Sequence, residues 1–254
     1  MNLLVHPKEK FYFKLSLIIS ILIYLMLVLS IVGIVYIIMG VVIGFIVQGL
    51  AVGQIRGNGV RISESQFPEV YKLADQIASK MEIKQMPPVY IIQSGGLLNA
   101  FAMRFLGRNY VVIYSEVFEL AYEQGEDALA FILSHEFAHI KRKHLSWRWF
   151  LFPSTFIPFL SQAYSRACEY TCDRIAAYNQ PAGAMAGLLV LAAGKRLYKN
   201  VDAAEYVKQA NREAGFWIWI AEKLSTHPNL PYRILAIDQK AQMKVITNRE
   251  LTSI

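Results

Sequence analysis

The sequence predicts an α+β chain, predominantly helical, in which a small antiparallel-containing sheet is preceded by an N-terminal apolar hairpin. Three observations predict this. An uncharged tract runs from Leu15 to Val52, three short β-type runs fall between positions 89 and 114, and helical periodicities fill most of the remainder. The mean hydropathy of +0.32 is high for a water-soluble domain, so the tract is read as membrane-spanning. The 254 residues suit one medium domain with an appendage, or two small units.

A single helix over Leu15–Val52 would reach about 57 Å, nearly twice the ~30 Å hydrocarbon core. Two helices reversing near Ser30–Gly33 fit better, and one tilted helix is the alternative. Gly40, Gly44, Gly49 and Gly53 recur at a spacing that lets a second helix approach closely. Lys8, Lys10 and Lys14 precede the tract and Arg56 and Arg61 follow it. Positive charge at both ends places both in the cytoplasm. The division is therefore a cytoplasmic N-terminus (1–14), the transmembrane hairpin (15–52), a glycine-rich polar linker (53–60) and one large domain (61–254). The net charge of +7 suits an anionic membrane surface. Nucleic acid is excluded as a partner, because no basic–aromatic interleaving or zinc-knuckle spacing accompanies the charge. Two cysteines, Cys168 and Cys172, cannot build a disulfide framework.

Past the linker, Val70, Leu73, Ala74, Ile77 and Met81 set a helical period over 66–81. Pro87-Pro88 stops any helix, and Val89–Ile92 reads as a strand. A turn at Ser94-Gly95-Gly96 precedes the alternating run 99–105, and Gly107-Arg108-Asn109 turns into 110–114. Antiparallel hairpins are the expected pairing. Ser115 opens a helix through Leu120. A longer helix spans 126–143, with Glu126 and Asp127 at its start and Lys141, Arg142 and Lys143 at its end, as the helix dipole prefers. The aromatic stretch 145–163 holds Pro153 and Pro158, so it is expected as a buried or membrane-surface connector. Helical patterns then cover 165–178, 181–198, 202–224 and 231–243.

The chemistry sits in His135-Glu136-Phe137-Ala138-His139. Histidines at i and i+4 project from one helix face, so two imidazoles can grip one zinc ion. Glu136 stands beside them, placed to accept a proton from an attacking water. A third ligand is needed. The Gly and third His that a metzincin carries, three and six residues past the second His, are replaced by Arg142 and Leu145, so a later carboxylate is expected. Glu169 is the candidate, with Asp173 one turn on as its hydrogen-bonding support. Cys168 and Cys172 share that spacing, and buried packing is the expected role for them.

With these motifs the chain resembles the membrane-anchored zinc peptidases that include HtpX and the CAAX prenyl protease, over about 61–238. Asn99-Ala100-Phe101-Ala102, and His227-Pro228 followed by Arg233, carry the resemblance further. It implies a zincin-like fold and one zinc per subunit on His135, His139 and Glu169, with Glu136 as general base. It also implies that Asn99, Ala100, Phe101 and Ala102 line the cleft and pair with extended substrate backbone. His227 is the candidate donor to the developing oxyanion, or else a cap on the turn before Pro228. Arg233 is expected against Asp173 or Glu169, or on the surface. His6 and His144 receive no role. The expected function is a membrane-bound zinc endopeptidase in protein quality control, acting on polypeptides such as misfolded membrane proteins. A catalytically inactive metal-binding scaffold is the alternative.

Overall fold

The computed structural model describes residues 2–93, 95, 99–213 and 215–237. Of the expected turn at 94–96 only Gly95 is described, at φ 64°, and the end of the last helix, beyond 237, lies outside the described residues. Two long apolar helices lead: α1 (Pro7–Val28) and α2 (Ile31–Asn58). They reverse at Leu29-Ser30, where the Ser30 hydroxyl accepts from the Gly33 N–H at 3.0 Å. Gly33 is required there, because a Cβ would lie 2.1 Å from the Leu27 carbonyl oxygen. The two helices have the length and apolarity to cross a membrane. A core helix equally apolar would be buried, whereas only 11% and 6% of their most apolar windows are buried.

At 1.5 Å per residue α2 extends about 42 Å, about 12 Å beyond a hydrocarbon core. Its surplus is helical too, which corrects the expected linker at 53–60. The cause is packing: Val52 and Ile55 are buried against Tyr90, Tyr110 and Val112 of the sheet. The glycine spacing also has a different use from the expected one. A Cβ at Gly40 or Gly53 would meet nothing within 4 Å, Gly44 receives the Trp149 ring, and Gly49 faces Phe105.

The sheet has four strands in the order β1-β2-β4-β3: β1 (Val60–Arg61), β2 (Val89–Ile92), β3 (Ala100–Phe105) and β4 (Arg108–Tyr114). β3 and β4 form the expected antiparallel hairpin, but β2 pairs with β4 in parallel. β2 and β4 are the two inner strands, and the β4 run Tyr110-Val111-Val112-Ile113 is buried on both faces. Val111 and Ile113 face the main core and Val112 faces α2. β3 is left as an edge, with no further strand partner among the described residues.

Helices α3 (Pro68–Lys80), α4 (Ser115–Gln124) and α5 (Asp127–Lys141) follow. α5 is buried continuously from Ala128 to Ala138 and packs against α3, α4, β3, α7 (Leu160–Asn179) and α8 (Pro181–Leu197). Two glycines permit the tightest of these contacts. A Cβ at Gly183 would lie 1.8 Å from the Asp127 carbonyl oxygen, and one at Gly187 2.4 Å from the Phe131 ring.

Between α5 and α7, a short helix α6 (His144–Trp147) and a 3-10 turn (Phe152–Phe156) form the connector. It packs against α1: the Tyr24 hydroxyl donates to the Trp149 carbonyl at 2.8 Å, and the Ser154 N–H to the Ser20 hydroxyl at 3.1 Å. Phe150, Phe152 and Phe156 remain exposed. The helical pattern expected over 202–224 is two helices, α9 (Ala203–Arg212) and α10 (Phe216–Leu224), with Gly215 at φ 152° between them. α11 (Leu230–Ile237) returns to α7 and α8.

Candidate metal centre

α5 presents His135 and His139 one turn apart, and α7 crosses it with Glu169 and Asp173 on the facing side. The metal-ligating atoms converge. His135 Nε2 lies 3.3 Å from His139 Nε2 and 3.3 Å from Glu169 Oε2, and His139 Nε2 lies 3.2 Å from Glu169 Oε1. Ligand atoms about 2.0–2.1 Å from a tetrahedral ion stand about 3.3 Å apart. Two imidazoles and one carboxylate at that spacing form a set able to hold a divalent ion.

Asp173, fully buried, lies behind this set. Its Oδ1 is 2.9 Å from His135 Nδ1, the ring nitrogen pointing away from the other ligands. Arg233, from α11, donates to both Asp173 oxygens at 2.8 Å and lies 3.4 Å from Glu169 Oε2. The expected surface alternative for Arg233 does not hold, since the residue is 5% exposed.

Burial opposes every charge in this pocket, so each shift reports a partner. Burial alone would lower the His135 imidazole, yet Glu169 and Asp173 hold it up to about 10. Burial would likewise raise Glu169, yet His135, His139 and Arg233 hold it well below the usual carboxylate range. Asp173 is also held low, against burial, by Arg233 and His135. Arg233 and the His135 imidazole are thus the partners that favour the ionised form of the two carboxylates. A divalent ion on His135 would take the place of a proton rather than add to it.

Glu136 lies on α5 next to His135 and is buried. His227 reaches the site's open side: its Nε2 is 3.7 Å from Glu169 Oε2, while its side chain is 62% exposed. The preceding loop holds it, with Thr226 Oγ1 at 3.1 Å from His227 Nδ1 and the Ser225 hydroxyl donating to the His227 carbonyl at 2.7 Å. Both the expected turn contacts and the approach to the ligands are therefore present. Buried Arg166 orients that loop by donating to the carbonyls of Glu222, Lys223 and Ser225, a role absent from the sequence reading.

β3 runs beside α5. The Tyr114 N–H donates to the Asn99 carbonyl at 3.0 Å, so antiparallel alternation turns the main chain of Ala100, Ala102 and Arg104 to the free edge. The Asn99 side chain accepts from the Ala100 N–H at 2.9 Å, leaving Ala102 as the first open donor–acceptor pair. Phe101 points to the opposite face and packs with the α2-side cluster. Cys168 and Cys172 are free and buried, and burial pushes both thiols up.

The profile of peptidase family M48 matches residues 64–153 and 149–241, more than half of the chain. Among solved structures, S. mikatae Ste24p is similar at 17% identity with a TM-score of 0.47, covering 78% of this chain and 56% of that one. The chain thus spans little more than half of that protein's length. No curated protein matches it.

Proposed function

Since the chain belongs to peptidase family M48, we propose that it is a membrane-embedded, zinc-dependent endopeptidase whose active site faces the cytoplasm. The observation that carries this reading is the convergence of His135, His139 and Glu169 at 3.2–3.3 Å beside a free strand edge. His135, His139 and Glu169 would hold one zinc ion, which when bound supplies Lewis-acid polarisation and a low pKa for water.

The chain's own residues do the rest. An extended substrate segment adds to the edge of β3, with Ala102 giving and accepting main-chain hydrogen bonds, so that pairing is largely blind to side chains. Glu136 takes the proton of the attacking water and passes it to the leaving amine. His227 Nε2 donates to the developing oxyanion, a contribution of about 3 kcal/mol in comparable sites. Asp173 fixes the His135 ring, and Arg233 fixes Asp173. Basic residues at both ends of the hairpin, Lys8, Lys10 and Lys14 with Arg56 and Arg61, favour the cytoplasmic orientation. Phe105, on the substrate strand, packs against Phe45 of α2 with ring centroids 5.3 Å apart. That contact sets one end of the strand beside a membrane helix and supports membrane proteins in quality control as the substrate class.

Purified in detergent, the chain is expected to cleave casein only when zinc is present, and Glu136→Gln to keep zinc but lose cleavage. Full cleavage by Glu136→Gln would refute the mechanism. Bound zinc without cleavage by the unaltered chain under any condition would leave the scaffold reading.

A further inference from the structure

His139 has a second neighbour set, on the side of its ring away from Glu169. Its Nδ1 lies 3.1 Å from Nδ1 of His144, and His144 Nε2 lies 3.3 Å from Oε1 of Glu9. Glu9 is in the first turns of α1, 135 positions away in sequence, and is 4% exposed. Arg142 also donates to Glu9 Oε1, at 2.7 Å from Nη2 and 3.3 Å from Nε.

The protons along this chain are forced. An imidazole that gives Nε2 to a metal carries its hydrogen on Nδ1. His139 Nδ1–H then donates to His144 Nδ1, which must accept. His144 is left with its hydrogen on Nε2, which donates to the Glu9 carboxylate. The Cys172 thiol stands 3.8 Å from the same His144 nitrogen, a weak second donor to it.

We propose that Glu9 and His144 are positioning residues, a carboxylate–imidazole relay through which the first membrane helix orients the metal ligand His139. This rests on the zinc reading above. It gives His139 the outer support that Asp173 gives His135, so each ligand histidine has its own carboxylate, one direct and one relayed. Outer partners of this kind contribute about ten- to hundredfold in metal affinity. The relay also ties the metal to the seating of α1.

The same side chains admit a competing reading, a second metal on Glu9, His144 and Cys168. The Arg142 guanidinium on the shared Glu9 oxygen opposes it, since a cation already stands where the ion's charge would fall.

The test is zinc affinity, measured by chelator competition on the full chain in detergent, with metal content counted alongside. His144→Leu and Glu9→Ala are each expected to weaken zinc binding about ten- to hundredfold. Their double variant should be no weaker than His144→Leu alone, because both act through one path. Glu9→Gln keeps an acceptor for His144 and should recover most of the loss. Tyr24→Phe removes an α1 contact, the hydrogen bond to the Trp149 carbonyl, without touching the relay and should bind zinc as the unaltered chain does. The relay is overturned if His144→Leu binds within twofold of the unaltered chain, or if Tyr24→Phe weakens zinc as much as Glu9→Ala does. It is also overturned by a second zinc equivalent that Cys168→Ser removes. An unaltered chain that binds no zinc would instead remove the metal reading itself, and the relay with it.

Discussion

Arg233→Met is the sharpest probe of the metal centre's frame. The guanidinium makes two 2.8 Å hydrogen bonds to Asp173 and lies 3.4 Å from Glu169, with all three groups no more than 5% exposed. Methionine fills much of the same space, so the change removes charge and hydrogen bonds more than volume. Two buried carboxylates then face imidazoles alone, His135 beside both and His139 and His227 beside Glu169. Removing one partner of a buried pair costs about 3–5 kcal/mol. At about 2–4 °C per kcal/mol for a chain of this size, the melting temperature should fall by about 6–20 °C. The assay is thermal unfolding of the full chain in detergent, after chelation so that bound metal does not mask the loss. A second variant separates charge from packing: Arg233→Met with Asp173→Leu removes the stranded carboxylate as well and should regain most of the drop. A single variant melting within about a degree of the unaltered chain would refute the reasoning. So would a double variant that melts lower than the single one.

Gly183→Ala should destabilise the chain by about 1–3 kcal/mol, read by the same melting assay, because its Cβ would overlap the Asp127 carbonyl oxygen. A gain in stability, which alanine gives at open helical positions, would show that α8 does not pack as described. His6 is held at about 4, by burial first and then by Arg174, so the folded state prefers it neutral. Its contribution to seating the N-terminus is therefore complete above about 6.5 and is lost as the pH falls toward 4. Hydrogen-exchange protection over residues 2–10, taken relative to the intrinsic rate at each pH, should fall between pH 7 and pH 4.5, and a pH-independent protection would contradict this. Ala102→Pro removes the open N–H of the substrate edge and should raise KM for peptides with zinc content unchanged; an unchanged KM would remove edge pairing from the scheme.

The residues that bear chemistry were legible because their spacing is local. His135 and His139 are one helical turn apart, as are Glu169 and Asp173, and a helix presents such pairs on one face whatever surrounds it. Apolar length and hydropathy likewise foretold two helices, and Ser30 is where the hairpin turns. Position in the sheet was not legible. Nothing in Val89–Ile92 says that it will pair with a strand two elements later and in parallel, since that is fixed by how the helices cover both faces. The helical state of 53–58 was hidden for a related reason. Its glycines argue for a loop, and only burial of Val52 and Ile55 beneath the sheet overrides them. Glu9 and His144 were the costliest omission. His144 follows His139 by five positions, off the i+4 face, and its partner arrives from the opposite end of the chain.

The burial of Val52 and Ile55 has a practical corollary. The hairpin serves as one wall of the domain that holds the metal-ligand cluster. Deleting residues 1–58 to obtain a water-soluble enzyme would bare Tyr90, Tyr110 and Val112 along one whole side of the sheet and strip Glu9 from beside His144. Such a fragment should aggregate, and harsh detergents that pry the two helices apart should inactivate the intact protein before they unfold it.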